Sequence, residues 1–179
     1  MRTELKVFAF CGAVLITIAA ASSMLAQPQA MQATCAIQAY VDEIMEWDTN
    51  FPAIGLGHIT TQATTLQGTA NATLYTNGNV SITADNSINS QLTSSGGATL
   101  VTQYSLSYSG NGTTATGGGP VSYAPYNTFL STGSAVTHVV GSGSVVVTLG
   151  VEAYNPSGMV AEAATYNATQ TLTATWTGP

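Results

Sequence analysis

The chain has 179 residues with 2 Lys+Arg against 8 Asp+Glu, a formal net charge of −6. Arg2, Glu4 and Lys6 all fall in the first six residues, so the rest of the chain carries no basic side chain and seven acids. That excludes the basic stripe a nucleic-acid backbone requires, and it also closes lysine–asparagine isopeptide and sortase-type lysine linkage.

Residues 1–26 read as a secretion signal. Arg2 and Lys6 flank a polar start, an apolar run over 7–21 is broken only by Thr17, and small residues offer cleavage after Ala21 or Ala26. A retained anchor is the alternative, because 5–26 approaches the roughly 20 residues that span a bilayer. With the signal removed, the expected product is secreted or held at the cell surface, has no stable membrane insertion, and has a formal charge of −7. Cys11 leaves with the signal, so Cys35 is a single cysteine, either paired between molecules or buried as a free thiol. Its place on an apolar strand face favours burial.

Residues 27–42 are the N-terminal strand of the predicted architecture. Over 31–41, Met31, Ala33, Cys35, Ile37, Ala39 and Val41 alternate with Gln32, Thr34, Ala36, Gln38 and Tyr40. A period of two describes a strand with one apolar face. A helix over 36–47 competes there, since Ile37, Val41, Ile44 and Met45 also fit a 3.6 period.

Residues 43–179 read as one antiparallel β-sandwich, all-β throughout. Asn50-Phe51-Pro52 and Gly55-Leu56-Gly57 mark a loop, and 58–66 is a Thr-rich strand candidate. The alternation over 70–75 and 80–84 about Asn77-Gly78 predicts a hairpin with positive φ in its turn. Residues 100–108 alternate again, with Leu100, Tyr104, Leu106 and Tyr108 on one face. A Gly-rich loop over 109–120 lacks the lysine and following helix of a phosphate cradle. Strands are predicted at 135–140 and 145–153, a turn at 155–158, and a long final strand over 166–176. In that last strand Gln170 shares the apolar face with Tyr166, Ala168, Leu172, Ala174 and Trp176, opposite a threonine row.

No nucleophile-elbow, metalloprotease or Walker pattern occurs, and His58 and His138 are the only imidazoles, both placed in predicted strands. Neither an enzyme nor a cofactor is expected, and no metal site. Asp42, Glu43, Glu46 and Asp48 read as a solvated acidic loop without EF-hand spacing. Asn71, Asn79, Asn111 and Asn167 each sit in an N-x-Ser/Thr sequon and are candidate glycosylation sites.

The pieces CAIQAYV, ANATLYTNGNVSITAD, GSGSVVVTLGVEA and ATYNATQTLTATW, in that order, resemble secreted β-sandwich filament subunits that use donor-strand complementation. These include the spore-coat-U-like pilins of archaic chaperone–usher systems and TasA-type biofilm-matrix fibre proteins. Spore-coat-U-like pilins generally pair their first cysteine with a second in an early strand, and Cys35 has no such partner here. The resemblance implies a homopolymer in which Met31, Ala33, Cys35, Ile37, Ala39 and Val41 fill a neighbour's groove, with glycans or other matrix components as further partners. Two other classes stand beside it: an anchored surface-layer component, and a monomeric carbohydrate-binding or adhesin-like module with Trp47, Tyr123, Tyr126 and Trp176 as stacking platforms.

Overall fold

The computed structural model describes residues 32–109, 120–139, 141 and 143–179. The chain divides at Ala39/Tyr40 into two units, and the second, Tyr40–Pro179, holds all the strands among the described residues. They are β1 (Met45–Trp47), β2 (Thr65–Thr76), β3 (Asn79–Ala84), β4 (Thr93–Ser94), β5 (Val101–Ser109), β6 (Val121–Pro125), β7 (Ser134–Val136), β8 (Ser144–Tyr154), β9 (Tyr166–Asn167) and β10 (Leu172–Gly178). The helical content among the described residues is one 3-10 turn at Ile88–Ser90. The helix over 36–47 does not form.

All pairings are antiparallel. One sheet runs β1-β2-β8-β5-β6, a second β10-β3-β7, and β4 pairs with β9. The Val-rich β8 lies at the centre of the first, with Leu149 opposite Ala70 on β2 and Leu106 on β5. Its inward set, Val145, Val147, Leu149, Val151 and Ala153, is buried, as are Ala70, Ala72 and Leu74 on β2 and Tyr104 and Leu106 on β5. The alternation read in the sequence gives these faces correctly, because an antiparallel sheet with one solvated side turns every second residue inward. From the second sheet, Val80, Ile82 and Val136 join the same core, and Phe129 and Leu130 enter it from the turn after β6. Tyr108 Oη on β5 donates to Ser134 Oγ on β7 at 2.7 Å, a polar tie between the two sheets. Tyr104 Oη donates to the carbonyl of the fully buried Ser90 at 2.6 Å, and its ring lies 5.7 Å from that of Phe129.

The strand expected over 135–140 is short, β7 ending at Val136 with none over 137–139, and three further expectations change. Residues 70–84 are not a hairpin: β2 pairs with β1 and β8, while β3 pairs with β10 and β7. Asn77-Gly78 is therefore a corner between sheets, and neither residue has positive φ. The local signal is real, but the partners of each strand are chosen by burial against distant segments. Gly78 is required for space, since a Cβ there would run into the ring of Trp176. Thr76 Oγ1 holds the bend by donating to the Gly78 carbonyl at 2.8 Å and accepting from its N–H at 3.2 Å. Asn77 is occupied elsewhere. Its Oδ1 accepts from the Ile44 N–H at 2.8 Å, its Nδ2 donates to the Asp42 carbonyl at 2.8 Å, and its own N–H donates to the Ile44 carbonyl at 3.2 Å.

Residues 58–64 are a loop rather than a strand. Gly57 sits at φ +87°, a left-handed step that breaks the extended run, and a turn closed by Thr61 and Thr64 follows. The final strand is split, since 168–171 interrupt β9 and β10. Within β10 the expected parity holds: Leu172, Ala174 and Trp176 are half-buried, and Thr173, Thr175 and Thr177 are exposed.

Gly78→Ala should destabilise the chain by about 1–3 kcal/mol, as overpacking does, and the measurement is chemical denaturation. A hairpin glycine of the predicted kind would instead owe its cost to positive φ. Alkali gives a second test. Burial pushes the Tyr104 hydroxyl from 10.0 up to about 12 and raises that of Tyr108, the latter against the Ser134 bond. A raised folded value means that stability is intact below pH ~10 and falls as pH climbs from there toward the folded value. Melting temperature followed from pH 8 to 11.5 should hold, then drop, and Tyr104→Phe should make the drop shallower.

Candidate functional site

The segment 32–39 is described by itself. It contains no strand and every residue in it is exposed, Ile37 at 92%. Of the expected interface residues, Ala33, Cys35, Ile37, Ala39 and Val41 are all solvent-facing, and Met31 lies outside the described residues. The burial expected for Cys35 is not found: it is an exposed free thiol. The exposed apolar side chains continue into the second unit with Tyr40 and Val41 before the first ladder begins at Met45.

Within the second unit the two main sheets are unequal. β2 and β8 have 12 and 11 residues, whereas β10, β3 and β7 have 7, 6 and 3. β3 starts at the Thr76 end of β2, so the shorter sheet covers that end of the longer one. Toward Leu66 and Ala153, which pair with each other, the inward face lacks a strand above it. Two non-strand walls flank it instead. One is 51–62, the other 160–170, in which only Tyr166 and Asn167 belong to a ladder. Between them lies a trough that comprises a cleft of about 870 Å³ over Leu66, Leu100 and Ala153 and a smaller one of about 230 Å³ over Tyr104, Leu149 and Val151. Ile54, Leu56 and Leu92 line both. The larger volume is within the range of ligand sites, roughly 300–1,000 Å³.

Two residues that the sequence reading passed over shape this trough. Gly68 on β2 lies under Ile54 and Leu56, and a Cβ there would meet both side chains. The loop can thus lean over the β2 edge, where ladder pairing with β1 stops at Leu74. Asn155, read as part of a turn, is buried. Its Nδ2 donates to the carbonyls of Thr61 and Gln62, both at 3.4 Å, and its Oδ1 accepts from the Ala161 N–H at 2.9 Å. One side chain therefore joins both walls at the end of β8. Asn-Pro-Ser-Gly is a turn signature, and nothing in it distinguishes a solvated amide from a buried tie.

The other candidates are dispersed. Asn71 and Asn167 are exposed on β2 and β9. Asn79 is engaged through both amide atoms, donating to the Pro179 carbonyl at 2.8 Å and accepting from the His138 N–H at 3.0 Å, so its sequon is not presented freely. Asn111 lies outside the described residues. Trp47 pairs with Phe51 at 5.7 Å, Tyr126 packs against the core, Tyr123 covers Gly150, and Trp176 covers Gly78, so the four aromatics do not form a shared platform. Asp42, Glu43, Glu46 and Asp48 are exposed, and no group of three or more metal-binding side chains occurs among the described residues. His58 is exposed in the first wall, while His138 is half-buried. No helix among the described residues is long and apolar enough to cross a membrane.

No protein-family model matches the chain, and no curated protein shows significant similarity to it. The site therefore rests on its own geometry.

Asn155→Ala should cost about 1–3 kcal/mol, because it leaves two carbonyls and an N–H without their buried partner. Hydrogen exchange at Ala161 should accelerate more than exchange at Val147 in the core. Equal acceleration at both would mean that Asn155 supports the whole fold rather than the trough.

Proposed function

We propose that this protein is a secreted structural subunit of an extracellular filament or matrix fibre. In this reading the body is a two-layer antiparallel β-sandwich with one layer short, and each subunit receives the N-terminal segment of the next. One observation carries it: an alternating apolar segment that is exposed and outside every strand, in a chain whose body keeps a cleft lined in part by Ile54, Leu56, Leu66 and Leu92. Exposed apolar residues in sequence with a strand period mark an interaction surface.

Eleven residues over 31–41 extend about 37 Å as a strand. With Met31, Ala33, Cys35, Ile37, Ala39 and Val41 turned to the floor, Gln32, Thr34, Gln38 and Tyr40 face water. Burying Ile37, Val41 and Met31 alone contributes several kcal/mol at roughly 25 cal/mol per Å² of apolar surface, offset by the cost of ordering the segment. Because every body offers one trough and every chain one segment, the association is head-to-tail, the mode that extends into a filament unless its rotation closes a ring.

Removal of 27–39 should leave a folded chain that sediments as a monomer at every concentration, while the intact chain forms fibres visible by negative stain. Ile37→Asp should act like the deletion, since a charge entering an apolar trough without a partner costs several kcal/mol. Fibres from the shortened chain, or an intact chain that stays monomeric, would overturn the assignment.

A further inference from the structure

Gln170 is a polar residue on an apolar face, and the structure places it where such a residue is costly. It lies in the second wall and lines the smaller cleft, as do Ile54 and Leu56. Its Oε1 accepts from the Thr171 N–H at 2.9 Å, which fixes the orientation of the amide and leaves Nε2 as the remaining donor. That Nε2 is shut off from solvent and has no hydrogen-bond partner in the chain. A buried donor left unmade is destabilising, so it calls for an acceptor supplied from outside.

We propose that Gln170 is the register-setting contact of the trough: its Nε2 donates to a main-chain carbonyl of the inserted segment of a second copy. This rests on the assembly reading above. A strand whose odd side chains face the floor turns its main-chain edges toward the two walls. Along either edge, carbonyls and N–H groups alternate. A fixed donor in one wall accepts a carbonyl at that point and opposes an N–H. It therefore selects against a slip that would exchange them, and the side chains that meet the floor select among slips of two residues, which return a carbonyl to the donor. The 168–171 interruption has a role in this picture, because it takes Gln170 out of the β9 and β10 ladders.

The test uses the full chain carrying Ile37→Asp, whose own segment is disabled, and a labelled synthetic peptide of residues 31–41 under reducing conditions. Fluorescence anisotropy should give saturable binding to this host. Adding Gln170→Glu keeps an acceptor for the Thr171 N–H but replaces the donor with a carboxylate oxygen, and it should weaken binding about tenfold or more, measured at a temperature where both hosts are folded. Equal affinity for both chains would overturn the role of Gln170 while leaving the assembly reading intact. No peptide binding to the host would overturn the assembly reading, and this inference with it. If Gln170→Glu fails to fold, the side-chain amide resonance of Gln170 in the host decides. A shift with slowed exchange on adding peptide supports the contact, and an unmoved resonance overturns it.

Discussion

The inequality of the two main sheets governs most of what is distinctive here. Antiparallel strands must cover their apolar face with another layer, and β2 and β8 extend well past the reach of β3, β7 and β10. At the Thr76 end this face meets Val80, Ile82 and Val136 and becomes a closed core. At the Leu66 end it meets loops. Loops seal an apolar surface poorly because their own backbone groups need partners, and Asn155 supplies three of those partners where the two walls meet. The trough is thus a consequence of strand length, before any question of ligand arises.

Polar side chains recur where the two sheets stop, Asn77 and Asn79 at the closed end and Asn155 and Gln170 at the trough. Each presents an amide to or near backbone groups at the ends of strands. An amide can donate and accept at once, so it substitutes for a short piece of strand. Three of these residues are fully used in the single chain through the contacts described. Gln170 is half used, which is what sets it apart.

Much of this could be read in advance. The inward faces of β5, β8 and β10 follow from parity, since a two-residue period survives any choice of partner strand. Which strand pairs with which did not follow. Asn77-Gly78 carries the signature of a hairpin, and the decision to turn a corner instead is made by the distant pairing of β3 with β10 and by the ring of Trp176. Residues 58–64 look like a strand because threonine and isoleucine favour pleated surfaces, but the left-handed step at Gly57 and the turn closed by Thr61 and Thr64 break the extended run. Gly68 and Asn155 were invisible for a related reason: their importance lies in side chains that come from 54–56 and in carbonyls at 61–62. The polar Gln170 within an apolar row was visible, and an isolated break in parity of that kind is the signal worth following.

The rims of the five-stranded sheet have a separate consequence. One rim ends in β1, three residues long, and the other in β6, five residues that finish in Pro125. Strands this short, and one closed by a residue without an N–H, offer little template for lateral pairing with other molecules. At the β1 rim that protection reaches only residues 74–76 of β2, and farther along the same border it is Ile54 and Leu56, seated on Gly68, that shield the strand.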